Sequence, residues 1–219
     1  MIDALTELKR LLGRLGPSIG QALDNLTKLL RRGGRGSHLD DPTPRVDASG
    51  APEGWRPLSR EDIDSLPIIR DGSHLNPDGT PKPNSWYQTG EHDYVYHTNE
   101  NGHIDRFYAE DLQLKDHEGR LRHDPDTPGK GPDDHAGHLA ADSLGGSPKL
   151  DNLVSMLDKV NIKEYAGLER IWRGVLNANP PGTVSVDVRI TTDPATGRPT
   201  EFIIDHIVNG RPKQVVLNQ

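Results

Sequence analysis

The chain is 219 residues long and 32% hydrophobic, with 23 Gly, 18 Pro and a formal net charge of −7. Length allows one or two domains, and the Gly and Pro content predicts one compact domain beside a stretch too poor in apolar surface to offset its ordering entropy. The absence of cysteine excludes disulfides, thiolate zinc sites and cysteine nucleophiles; the negative balance argues against a broad DNA-coating surface and leaves room for a local cationic or metal-bearing cleft.

Residues 1–32 read as helical, with Leu5, Leu8, Leu11, Leu12, Leu15 and Ile19, then Leu23, Leu26, Leu29 and Leu30, at helical spacing. Gly16-Pro17 divides this segment. It reads first as a docking helix or the tail of an upstream region, and a membrane-surface helix is the weaker alternative. Lys9, Arg10, Arg14, Asp24 and Lys28 interrupt it, so neither a signal peptide nor a stable membrane span is expected. Any export is expected to use a route that reads no cleaved leader.

Residues 33–85 form a Gly- and Pro-rich linker and a turn-rich lead-in, and residues 86–219 the expected domain. Tyr94 to His97 and Ile104 to Leu112 read as a strand pair around Asn101-Gly102. Asp124 to Asp134 is turn-rich, and Leu153 to Met156 is a short apolar run. Val160 to Asn177 is the clearest helix, with Leu168, Ile171, Trp172, Val175 and Leu176 on its apolar face and Pro180-Pro181-Gly182 beyond its end. Val184, Val186, Val188 and Ile190 then alternate with Ser185, Asp187 and Arg189, and Phe202 to Val208 and Val215 to Leu217 pair around Asn209-Gly210. A helix followed by an antiparallel meander gives an α+β class.

The segment richest in chemistry runs from Asp133 to Gly146, with His135 and His138 among carboxylates. The pattern by itself admits a metal pair, a general base with structural neighbours, or a solvated loop. Asn161, Tyr165, Glu169 and Arg173 fall four apart along the long helix, a polar stripe beside its apolar face. The same residues also fit an N-cap with a capping box, Asn161 with Glu164, and a surface ion pair, Glu169 with Arg173, worth roughly 0.3–0.5 kcal/mol.

The strings G-H-L-A-A-D-S-L-G-G-S (137–147) and D-N-L-V-S-M (151–156), Asn161, and E-R-I-W-R (169–173) together resemble the DNA/RNA non-specific endonuclease family. The likeness is nearest to the branch found as C-terminal domains of bacterial secreted polymorphic toxins, type VII systems included. It runs from about Trp86 onward and implies a ββα-metal (His-Me finger) nuclease core with an antiparallel sheet, preceded here by N-terminal helices and a disordered linker. By that resemblance His138 is the general base, Asn161 the metal ligand, Asn152 a support of the metal-bound water, and Glu169 and Arg173 the acidic and basic positions on the helix. Older members carry Asp-Arg-Gly-His where this chain has His135-Ala136-Gly137-His138, with Asp134 one place earlier. Asp134 and His135 are then candidates for touching substrate. The family's upstream arginine is assigned to Arg106, with Arg122 as competitor.

The resemblance implies Mg²⁺ (or Mn²⁺) as cofactor, DNA as substrate with RNA left open, and, for a toxin, secretion and a cognate immunity protein that holds the enzyme inactive in the producer's cytoplasm. A neutral imidazole suits proton removal from water near pH 7, and one neutral asparagine suits a reluctantly dehydrating ion. Two other readings compete: a zinc hydrolase built on His135 and His138, and a non-catalytic protein-binding module with a degenerate nuclease fold.

Overall fold

The computed structural model describes residues 58–219. The helical reading of residues 1–32 and the linker reading up to residue 57 lie outside the described residues.

A short helix, α1 (Arg60–Ser65), opens the described chain. Ser59 caps it by accepting from the Asp62 amide, and the Asp62 carboxylate accepts in return from the Ser59 amide, a complete capping box. Six strands then build one antiparallel sheet in the order β1-β2-β3-β6-β7-β8. They are β1 (Trp86–Thr89), β2 (Tyr94–Thr98), β3 (Ile104–Ala109), β6 (Val184–Thr192), β7 (Pro199–Val208) and β8 (Arg211–Asn218). Between β3 and β6 the chain leaves the sheet to form a separate hairpin, β4 (Asp134–His138) with β5 (Leu153–Leu157), and then a helical stretch. That stretch begins with a π-helical turn, Val160–Tyr165, and continues as α2 (Ala166–Leu176). No helix among the described residues is long and apolar enough to cross a membrane.

Alternation along the strands decides which face each residue meets. Tyr96, Phe107, Val186, Val188, Phe202 and Ile204 are buried in the main core with Leu139, Leu144, Met156, Tyr165 and Trp172 from the hairpin connection and helix. The opposite face of β2 and β3 is covered by the lead-in, through a second cluster of Ile63, Ile68, Val95 and Tyr108. Turn-rich as expected, the lead-in is nevertheless anchored: His74 is buried, stacks on Tyr87 and bonds Asp151 at 3.0 Å.

Asp187, Arg106, Arg189 and Asp205 share the β3-β6-β7 surface. Arg106 bonds Asp187 at 2.9 and 2.6 Å, and Arg189 bonds Asp205 at 2.7 Å. The Asn209-Gly210 turn has the positive φ angles expected, 51° and 75°. At Asn101-Gly102 only Gly102 is positive, at 79°, because Asn99 Oδ1 organises a longer loop by accepting from the Asn101 and His103 amides. β1 and β4 were not foreseen as strands. β4 has a Gly, an Ala and two His among its five residues, a composition with little β propensity, and it is extended because it pairs residue for residue with β5.

Candidate active site

His138 ends β4, where it pairs with Leu153 of β5. The preceding Gly137 has a specific role: a β carbon there would lie 2.5 Å from Met156 Sδ and 3.1 Å from Asn161 Oδ1. Only glycine lets the start of the helical stretch settle against the strand, and this brings the Asn161 amide oxygen next to the residue before His138. His138, Asn161, Glu169 and Arg173 line one cleft of about 660 Å³.

Asn161 does not cap the helix. It lies inside the π-helical turn, and Glu164, its expected capping partner, pairs with Lys159 at 2.9 Å. The wider turn also changes the polar stripe. Tyr165 rotates into the core and donates its hydroxyl to Leu139 O at 2.8 Å, while Ala166 lines the cleft in its place. Helical spacing of four predicted Tyr165 at the surface; the extra residue per turn of a π-bulge moves the phase on by one.

Burial holds the His138 imidazole down to about 4, with His123 and Arg120 lowering it further and Asp142 opposing them. It is therefore neutral at pH 7 and free to accept a proton. Burial pushes the Glu169 carboxyl up to about 7, with Arg173 opposing the rise. Among the described residues the side chains of Asn161 and Glu169 have no hydrogen-bond partner, and Arg173 Nε is buried without one. A buried polar atom without a partner, as at Arg173 Nε, is costly unless something arrives to bond it.

The donor set fits a hydrated divalent cation: an unpartnered amide oxygen at Asn161, an unpartnered carboxyl at Glu169, and no cage of several side chains. Among the described residues, the one cluster of three His or carboxylate ligand atoms is Glu91, His92 and Asp116, none of which lines the cleft. Two of its three members are already engaged: the Glu91 carboxylate accepts from the Asp116 and His117 amides, and His92 bonds Leu114 O at 2.8 Å. No such cluster contains His135 or His138, so a zinc site built on that pair gains no third ligand of these types among the described residues.

The remaining candidates are placed as follows. Asn152 is fully buried and does not line the cleft; its oxygen accepts from Tyr96 Oη and the Ala140 amide, and its nitrogen donates to Ala140 O and Ser147 O. All of its bonding capacity is spent holding the loop that follows His138. Gly146 belongs to the same lock, since a side chain there would collide with Ala140 O. Asp134 reaches the cleft wall, but Arg198 grips its carboxylate at 2.6 and 2.7 Å and holds it below the usual range. His135 is exposed at the rim, 3.4 Å from Asp158. Arg106 does not line the cleft: it shares the sheet face of Asp187, opposite that of its neighbour Phe107, which is in the core.

Arg120, His123, Lys130 and Asp142 line the cleft but were not singled out from the sequence. The His123 ring meets His138 edge-on, with centroids 5.1 Å apart. A run of cations, Arg120, Arg122 and His123, upstream of the histidine motif was the available signal, and it drew attention only to Arg122.

An antiparallel sheet carries a hairpin and a helix, and an imidazole and an amide oxygen line one cleft between them, an α+β arrangement. The chain belongs to the DNA/RNA non-specific endonuclease family, whose model matches residues 83–209. It is also 33% identical over 125 residues to the type VII secretion system protein EssD of Staphylococcus aureus, in strains USA300 and NCTC 8325. The match covers 53% of this chain and 20% of each relative, so the chain corresponds to about a fifth of those proteins.

Proposed function

We propose that this chain is a metal-dependent endonuclease that hydrolyses the phosphodiester backbone of DNA without base preference, and that it acts as a secreted antibacterial toxin. The observation that carries the catalytic reading is that His138 and Asn161 line one cleft, with Glu169 and Arg173 beside them and Arg173 Nε buried without a partner among the described residues.

His138 takes a proton from water as the water oxygen bonds to phosphorus and the bond from phosphorus to the leaving oxygen breaks. Desolvation and the edge-on His123 keep the imidazole neutral before the reaction. Asn161 Oδ1 is the residue that would hold Mg²⁺ or Mn²⁺. When bound, the ion supplies positive charge to the phosphate and leaving oxygens. Glu169 orients water at the site by hydrogen bonding, and Arg173 balances negative charge developing on the phosphate. Asn152 and Gly146 fix the loop that follows His138 and so act on the imidazole's position. A cleft that grips phosphate and metal reads backbone geometry rather than base edges, which favours cleavage without sequence preference, with RNA left open as a second substrate.

Similarity to a type VII secretion system protein supports delivery through such a route. A producer of this toxin needs an immunity protein that covers the cleft, and the acidic chain favours basic contacts from it. The deciding test is digestion of supercoiled plasmid by the purified chain. Nicking is expected with Mg²⁺ or Mn²⁺ and none with EDTA, and His138→Ala should lose at least ~100-fold in rate. A His138→Ala protein that nicks at the wild-type rate removes the reading.

A further inference from the structure

The segment from Lys115 to Gly131 has no regular secondary structure, yet it is fastened to the hairpin at several points. Asp142, four residues beyond His138, accepts from the Leu121 amide at 2.9 Å and contacts His117 Nε2 at 3.3 Å and Lys115 Nζ at 3.4 Å. The Asp124 amide donates to Pro148 O at 3.0 Å. Further along, Ser155 of β5 bonds Thr127 Oγ at 2.7 Å and Pro128 O at 2.8 Å, and the Gly131 amide donates to Asp134 at 2.8 Å.

Between these pins the segment presents Arg120 and Lys130 to the cleft. Two of the three acids that share the lining are already paired, Asp134 with Arg198 and Asp142 with Lys115 and His117, and the third, Glu169, lies with Arg173 on the helix side of the cleft. Arg120 has no hydrogen bond or ion pair among the described residues, and the Lys130 ammonium bonds only Pro125 O, at 2.6 Å. In a chain of net charge −7 these two, with Arg173 on the helix, are the lysine and arginine side chains of the cleft lining that form no ion pair among the described residues.

We propose that residues 115–131 form a phosphate-gripping strap in which Arg120 and Lys130 bind backbone phosphates flanking the one that is cut, with Asp142 as the positioning residue that holds the strap beside His138. This rests on the endonuclease reading for its substrate class, a nucleic-acid backbone, and it explains how an acidic protein holds a polyanion. Cations contacting phosphates displace condensed counterions, so each contact adds about 0.9 to the slope of log affinity against log salt on duplex DNA.

The experiment measures binding of a labelled 20-base-pair duplex to the His138→Ala chain across salt concentrations. The double change Arg120→Gln and Lys130→Gln should lower the slope by about 2 and weaken binding at least tenfold at low salt. Arg60→Gln with Arg211→Gln, which removes two cations outside the cleft, should leave the slope unchanged. In the otherwise native chain, the strap variant should lose activity through KM rather than kcat. Asp142→Ala should also lower the slope, and adding it to the strap variant should change little more, a non-additivity that simple loss of stability does not produce. An unchanged slope in the strap variant, with the native chain still cutting plasmid, overturns the strap and leaves the endonuclease reading intact. A lowered slope with a native chain that cuts nothing supports the strap and removes the endonuclease reading.

Discussion

The outer face of the sheet and the cleft use the same kinds of polar side chain to opposite ends. On the sheet, Asp187 is 2% exposed and paired with Arg106, Asp205 is 2% exposed and bonded by Arg189 and Gln214, and Trp172 donates to His206 in the core. In the cleft, the imidazole of His138, the amide of Asn161, the carboxyl of Glu169 and Arg173 Nε have no hydrogen-bond partner among the described residues. Arg189 Nε and His206 Nε2 are also buried without a partner among the described residues, but each of those side chains is held by another hydrogen bond, to Asp205 and from Trp172. The contrast separates side chains bonded into the sheet from those that line the cleft without a protein hydrogen bond, the group to which the proposed function assigns the chemistry.

The largest expected effect falls on the structural side. Arg106→Leu leaves the Asp187 carboxylate buried and unpaired, and should destabilise the chain by about 3 kcal/mol in chemical denaturation. Plasmid cleavage per folded molecule, measured well below the melting transition, should remain near wild type. A stable Arg106→Leu protein with no activity would return Arg106 to the catalytic group and erase the distinction between the two regions.

Glu169 should respond in the opposite direction. Its folded-state affinity for protons is raised to about 7 from an ordinary 4.5, so its favourable contribution is complete below pH 4.5 and is lost as pH rises through 7. At pH 8 the native state holds a poorly solvated carboxylate. Glu169→Gln should then gain roughly 1–3 kcal/mol in metal-free buffer at pH 8 and almost nothing at pH 4, while nuclease activity falls at least tenfold. Equal stability at both pH values would show that Glu169 is not strained by burial, and would move it to the satisfied side of the comparison.

Most of the fold was legible because alternation and turn chemistry are local. Val184 to Ile190 declared which way each residue points, and Asn209-Gly210 declared its own hairpin. The strands that escaped notice were β1, too short to show a period, and β4, whose Gly and His residues take strand form only through β5. In the cleft, His138, Asn161, Glu169 and Arg173 were singled out by resemblance to a family motif, and all four line the same cleft. Asn152 carries the same motif signal, yet its amide is fully used by Tyr96, Ala140 and Ser147. Spacing cannot tell an asparagine that touches substrate from one that ties a loop. Arg106 was chosen for lying upstream, but strand parity against Phe107 puts it on the far face. Arg120 and Lys130 were invisible for a different reason: they belong to a segment without period, and its position is set by distant bonds to Asp142 and Ser155.

The finest test of the contrast concerns His123, whose ring stands edge-on to His138. Burial is the main reason His138 stays at about 4, and His123 is the next contributor, through repulsion between two imidazoles that cannot both hold a proton cheaply at this distance. Replacing His123 with Gln removes the second charge and leaves the desolvation. The acid limb of kcat/KM against pH should then move up toward 6.5 by roughly half a unit, since that limb reports the base of the free enzyme. Asp142→Asn should move it the other way, because Asp142 favours the protonated imidazole. The rate at pH 8 should change little in His123→Gln, where His138 is neutral in either protein. Opposite shifts from these two neighbours would identify the titrating group as the imidazole between them; a limb that ignores both would belong to some other base, and His138 would lose its place as the proton acceptor.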